Sequence, residues 1–238
     1  KAVYYKSIKN SIKESAIIIT LSEHSKKDLL EIFDIMPDKI VVTYPPLMLK
    51  PLASKETMHL FLKKYSLRPR QYMLFVGAIE PRKNVGRLID AYSSLNTSMP
   101  LVIAGNKAWL YEKELARNLK NVLLLGHVPA DDLRYLYGGA FCFVFPSLYE
   151  GFGLPPLEAM AFGCPVITSN VASLPEVCGD AALYVDPYNT KDITEAIETL
   201  LTDKKMRTEL AEAGKERAKI FSMQNYIKKL YKAYKKVV

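Results

Sequence analysis

"FPSLYEGFGLPPLEAMAFGCPVITSN", residues 145–170, sets Glu150 and Glu158 eight positions apart, with two glycines and two prolines between them. The apolar run "FCFVF" leads into it and "PVITS" closes it, and both have strand length. Gly151 and Gly153 permit backbone conformations that other residues resist. Pro155 and Pro156 suit a helix start, where the missing N–H costs nothing. The stretch therefore reads as strand, tight turn, helix "PPLEAMAFG", strand, with the helix beginning near Pro155 and Glu158 in its first turn.

The same rhythm runs outward in both directions. "QYMLFVG", "PLVIAG", "NVLLLG", "AFCFVFP", "PVITS" and "AALYVDP" read as strands. Between the early ones, residues 84–95 read as a helix capped by Asn84, residues 109–119 as another, and "DDLRYLYGG" as a short one. Continuous apolar strands alternating with helices predict an α/β doubly wound parallel sheet, Rossmann-like, covered on both faces. Upstream, residues 16–20 and 39–43 read as strands flanking a helix that Ser22 caps. "YPPLMLKPL" holds three prolines in nine residues and reads as a linker. The organisation expected is 1–43 as the remnant of another domain, 44–70 as linker and connecting helix, 71–220 as the main domain, and 221–238 as a terminal helix. In that helix Ile227, Leu230, Tyr231 and Tyr234 share one face.

Ligands of doubly wound sheets sit at the carboxyl ends of the strands. There the free N–H groups of Phe152, Gly153 and Leu154 would gather with the helix dipole on one spot that suits a phosphate. Carboxylates repel phosphate but accept hydrogen bonds from vicinal hydroxyls. An acid on either side of a phosphate site implies a hydroxyl-bearing ring on either side, which describes a sugar nucleotide. A helix-start glutamate and a surface loop glutamate are the plainer alternative. The loop "FVGAIEPRKN" follows another strand end and brings Arg82 and Lys83 toward a diphosphate, the plainer alternative being two solvated cations.

Of 238 residues, 49% are hydrophobic, enough for a sizeable core. Cys142, Cys164 and Cys178 form no CxxC pair; Cys142 and Cys164 sit in apolar surroundings and read as small buried hydrophobes, and the set suggests a reducing compartment. The three histidines are isolated and neither HExxH nor DxD occurs, so no bound metal is expected. Residues 1–15 are charged and contain no apolar signal core. Net charge is +8, with lysines gathered at the ends, from Lys1 to Lys13 and from Lys228 to Lys236. They read as solvated helix faces, or as attraction to an anionic membrane or substrate. No nucleic-acid-binding pattern is present.

"VGAIEPRKN", "GHVPADDLRYLYGGA", the opening stretch and "LPEVCGDAALYVDP" together resemble the C-terminal, donor-binding half of retaining GT-B glycosyltransferases of family four, the glycogen-synthase and mannosyltransferase type. The resemblance covers about residues 16–235. It implies that Glu150 holds hydroxyls of the transferred sugar and Glu158 those of the ribose. It implies that Lys83 binds the diphosphate, with Arg82 standing in for an arginine the family often carries where this chain has Ala78. Gly77, Gly151, Phe152, Gly153 and Leu154 would line the donor through their backbone, and His127 and Val128 the base. Catalysis would then rest on Glu150, Arg82 and Lys83 without a metal or cofactor.

The donor implied is a nucleotide-diphosphate sugar, with GDP-mannose favoured because "EPRKN" is common among mannosyltransferase-like members. The acceptor would be a glycan or lipid-linked glycan, held by an N-terminal domain or a partner chain that this sequence does not include. The chain begins at Lys1 without a methionine and is expected to bind nucleotide while transferring little sugar alone. The other reading is a non-catalytic nucleotide-sugar-binding subunit. The expected location is the cytoplasm, with peripheral contact at the inner face of the membrane.

Overall fold

A computed structural model of the chain describes residues 2–235. Lys1 and Lys236, with the rest of 236–238, lie outside the described residues. The order is α1 (Ala2–Glu14), β1 (Ile18–Thr20), α2 (Glu23–Ile32), β2 (Ile40–Val42) and α3 (Lys55–Lys63). There follow β3 (Met73–Val76), α4 (Val85–Ser93), β4 (Leu101–Ala104), α5 (Tyr111–Leu115), β5 (Val122–Gly126) and α6 (Ala130–Gly139). Next come β6 (Cys142–Phe145), α7 (Leu154–Ala161), β7 (Val166–Ser169), α8 (Leu174–Cys178) and β8 (Leu183–Val185). α9 (Thr190–Thr202), α10 (Lys204–Lys219) and α11 (Met223–Tyr234) complete it.

Six strands form one parallel sheet in the order β5-β4-β3-β6-β7-β8. That is the doubly wound order, and its direction reverses between β3 and β6. Met73 pairs with Cys142 and Leu74 with Phe143 across that boundary. Strands β3, β4, β6 and β7 are buried along their whole length, which is why their sequences are continuous apolar runs rather than alternating ones. Phe75, Phe143 and Phe145 stack at 5.7 Å spacings at the centre of the sheet.

A second sheet holds only β1 and β2, parallel, with Ile18 opposite Ile40. Between residues 5 and 43 only Thr20, Ser22, Ile40 and Thr43 are buried. Those four residues make almost no core, and Ser22 and Ser25 tie the segment to the loop after β6. Ser22 caps α2 as expected, accepting from the Ser25 N–H.

Several local expectations shift. The helix expected over 109–119 is confined to Tyr111–Leu115, because Leu110 takes a left-handed backbone with φ of 55°. The stretch "LPEVC" forms α8, which no sequence signal announces: five residues that include Pro175 and stop at Gly179 show too little periodicity to read. Asn84 precedes α4 but caps nothing with its side chain. Its amide is buried and donates instead to the carbonyls of Pro146 and Pro187, at 2.9 and 2.7 Å. The shared face of α11 is real but faces outward: Ile227, Tyr231 and Tyr234 are all more than half exposed.

β3 and β4 end in glycines for a steric reason. At Gly105, φ is +157° and an added Cβ would sit 1.9 Å from the Gly77 carbonyl oxygen. Gly105→Ala is expected to cost about 3 kcal/mol or more, by displacing the Gly77 backbone. Gly126→Ala, where φ is +67° but nothing lies within 4 Å, should cost only the left-handed backbone strain, about 1 kcal/mol. Urea denaturation of the two variants compares them directly.

Candidate functional site

The loops that follow β3 and β6 meet at the point where strand order reverses. After β3, residues Pro81–Lys83 make a single 3-10 turn. It is tied to the β6 loop, because the Leu148 N–H donates to the Arg82 carbonyl and the Ser147 hydroxyl lies 3.1 Å from it. This lays Lys83 directly against Glu150. Its ammonium is 2.7 Å from Glu150 Oε1, and each side chain is only 10% exposed. Arg82 reaches the same oxygen at 3.0 Å and Glu80 Oε1 at 2.7 Å. Ser147 donates to Glu150 Oε1 at 2.6 Å, and Lys83 also lies 4.8 Å from the centre of the Phe145 ring. Two acids and two bases so form a formally neutral cluster. Read from sequence, Arg82 and Lys83 face a diphosphate and Glu150 faces a sugar; in the ligand-free chain all three face one another.

Past Glu150 the backbone has an unusual division of labour. The Ser173 hydroxyl lies between the carbonyls of Glu150 and Phe152, 2.8 and 2.6 Å away, and shares its one proton between them. Ser22 and Ser25 both donate to the Gly151 carbonyl, at 2.7 and 3.0 Å. Arg82 donates to the Tyr149 carbonyl at 2.9 Å. Among the described residues, no protein acceptor meets the N–H of Gly151, Phe152, Gly153 or Leu154. Each carbonyl is anchored and each N–H is left for something else. Gly153, with φ of +113°, turns the chain into α7. A cleft of about 530 Å³ opens here, lined by Arg82, Glu150, Gly151, Phe152, Gly153 and Leu154. The Phe152 side chain is buried against Tyr44 and Phe221, so only its backbone can serve a ligand.

Glu158 stands elsewhere. α7 begins at Leu154, one residue before the expected start, which puts Glu158 in the second turn rather than the first. There it lines a separate hollow of about 80 Å³ with Met48, Lys50, Arg134 and Tyr137. Its Oε2 accepts from the Tyr137 hydroxyl at 2.8 Å. Burial raises its carboxyl above the ordinary 4.5, partly offset by that hydrogen bond. Burial, then the Glu158 charge, hold the Tyr137 phenol well above 10.

Gly77 follows β3, and a Cβ there would press on the Phe75 ring at 3.3 Å and touch Lys83 Cε at 3.7 Å. His127 is exposed and Val128 is buried in the core. Neither lines the Glu150 cleft or the Glu158 hollow. The neighbouring Gly126 instead lines a third opening, about 690 Å³, with Ile79, Gly105, Lys107 and Leu124 at the ends of β3, β4 and β5. Among the described residues no cluster of His, Cys, Asp or Glu could hold a metal, and no helix is long and apolar enough to cross a membrane.

The hydroxyls of Ser22, Ser25, Ser147 and Ser173 escaped sequence reasoning. Ser22 was legible as a helix cap; nothing in a single sequence marks which serine meets a carbonyl more than a hundred residues away.

Because the folded chain holds the Glu158 proton more tightly than the unfolded one, this group's contribution to stability is complete below about pH 4.5 and declines as pH rises through the raised folded value. Glu158→Gln should therefore raise the melting temperature at pH 7–8 and leave it little changed near pH 4. Calorimetric scans at the two pH values read the difference.

Residues 61–217 match the family model described as glycosyl transferases group 1. Among curated relatives, the O-antigen chain mannosyltransferase B of Escherichia coli is 39% identical, over 97% of this chain and 63% of its own length. The serotype-specific mannosyltransferase WbdA of Escherichia coli is 33% identical, over 87% of this chain and 27% of its own. The chain thus spans under two thirds of these relatives. Among solved structures, Anabaena HepE in complex with UDP and glucose superposes with a TM-score of 0.86 at 17% identity, over 95% of this chain and 65% of that one. Sucrose-phosphate synthase from Thermosynechococcus elongatus gives 0.82 at 21% identity, over 100% of this chain and 62% of that one. At such identities the likeness is one of fold. Sheet order, strand-end loops and family match agree, and the chain belongs to the group 1 glycosyl transferases, with the C-terminal half of a GT-B fold.

Proposed function

We propose that this chain is the donor-binding half of a retaining, metal-independent hexosyltransferase that takes its sugar from a nucleotide-diphosphate sugar. The observation that carries the reading is the row of unpartnered N–H groups from Gly151 to Leu154 beside the Lys83–Glu150–Arg82 cluster. N–H donors at a helix start and fixed cations suit a pyrophosphate. GDP-mannose is the favoured donor, supported by the mannosyltransferase relatives. Those relatives weigh against a non-catalytic subunit. The acceptor is a glycan or lipid-linked glycan.

The neutral cluster gives the site a sequence of events. A diphosphate arriving beside Lys83 draws the ammonium off Glu150 Oε1. The freed carboxylate then accepts from hydroxyls of the sugar. As the anomeric C–O bond breaks, Lys83, Arg82 and the N–H row stabilise the charge on the departing diphosphate. Removing one such preorganised donor typically costs about 10²–10³ in turnover. Retention follows from attack on the face the diphosphate leaves, with the departing phosphate taking the acceptor proton. Glu150 positions and is not the nucleophile. Glu158 takes the ribose hydroxyls, and the opening beside Gly126, with His127 and Val128 contributing backbone, takes the base. Peripheral contact of the lysine-rich ends with an anionic membrane fits a lipid-linked acceptor.

Titration calorimetry with GDP, UDP, ADP and their sugars tests this. GDP-mannose should bind best, and Lys83→Met should weaken it by about 1.5–3 kcal/mol, roughly 10- to 100-fold. Failure of every nucleotide to bind, or an unchanged affinity in Lys83→Met, would refute the assignment. The anomeric configuration of the product, read by NMR, tests retention.

A further inference from the structure

The clasp between α2 and the donor loop has a meaning beyond helix capping. Ser22 is fully buried, and its hydroxyl accepts the Ser25 N–H while donating to the Gly151 carbonyl. Ser25 donates to that same carbonyl. The clasp is returned from the other side. Glu176, on α8, accepts the N–H groups of Glu23 and His24 at 2.8 and 3.0 Å, which satisfies donors in the first turn of α2. The Tyr149 hydroxyl donates to Asp28, also on α2, at 2.5 Å. So α2 is fastened at three points around Glu150 and Gly151, although it belongs to the segment that has almost no core.

In a trans peptide the carbonyl and the following N–H point in opposite directions. Holding the Gly151 carbonyl toward α2 therefore turns the Phe152 N–H away from α2. Ser173, whose one proton is shared between the carbonyls of Glu150 and Phe152, acts in the same sense on the N–H groups of Gly151 and Gly153. Glycines at 151 and 153 leave this stretch free to rotate unless such anchors hold it.

We infer that Ser22 and Ser25 are positioning residues for the phosphate-binding N–H row, so that α2 sets the affinity of the donor site from outside the main sheet. This rests on the nucleotide-sugar reading above. Its signature is selective: the anchors act on groups that meet phosphate and on nothing that meets the base.

The experiment compares binding of GDP with guanosine, and UDP with uridine, in wild type, Ser22→Ala/Ser25→Ala, Ser25→Ala alone and Ser54→Ala. Ser54 caps α3 and makes no contact with the donor loop, so its loss controls for a missing cap. The double variant should bind the preferred diphosphate roughly tenfold more weakly while its nucleoside affinity holds. The diphosphate-induced amide shift of Phe152, read by NMR, should shrink with it, and Ser54→Ala should match wild type. Ser25→Ala alone, which favours the helix, should show a smaller loss of the same kind and decides the matter if the double variant does not fold. Equal losses for diphosphate and nucleoside, or none, overturn the positioning role and leave the donor site standing. A wild-type chain that binds no diphosphate removes both.

Discussion

The contact on which the site depends is the meeting of two cations at one oxygen of Glu150. A carboxylate 10% exposed is costly unless paired, and here the Lys83 ammonium and the Arg82 guanidinium compensate it together. The pairing also joins the loops of two strands that are neighbours in the sheet but far apart in sequence. It settles where the 3-10 turn after β3 must lie, and hence where the cleft opens. Such a pair contributes little to net stability once desolvation is counted, and leaving either partner alone is what costs. Its effect is to hold the Lys83 ammonium and the Glu150 carboxylate where both are stripped of most of their water.

The second ingredient is the division of the donor loop into anchored carbonyls and unclaimed N–H groups. Serine hydroxyls suit this work because they donate without bringing a further charge beside the Glu150 cluster. Four of them surround residues 150–152, from β7's end of the sheet, from the β6 loop and from α2. Glu158 stands apart, desolvated in its own hollow and bonded to Tyr137. Polar groups held at some expense to the ligand-free fold are common where binding takes place.

The sheet was legible because its strands are short apolar runs with no polar alternation, and turns rich in glycine, proline and asparagine separate them. The two strand-end loops were legible too, since Glu150, Arg82 and Lys83 each follow such a run. Their mutual pairing was not, because position 83 and position 150 are related only through the sheet. Asn84 misled for a related reason. Asparagine before a helix favours capping locally, and the acceptors it meets, Pro146 and Pro187, lie 62 and 103 residues away. Glu158 moved one position further into its helix because the prolines mark where a helix is tolerated, while Gly153 fixes where this one starts. The serine anchors combine small, common side chains with long separations, and periodicity carries no trace of them.

Asn84 has one further consequence. By donating to carbonyls beyond β6 and beyond β8 while its own backbone follows β3, a single amide staples three strand ends together. The left-handed backbone it adopts, φ of 60°, is strain held in place by those two bonds. The mouth of the sheet is thus cross-linked at three strand ends through one buried side chain, whereas the wall at α2 is held by several separate side-chain contacts.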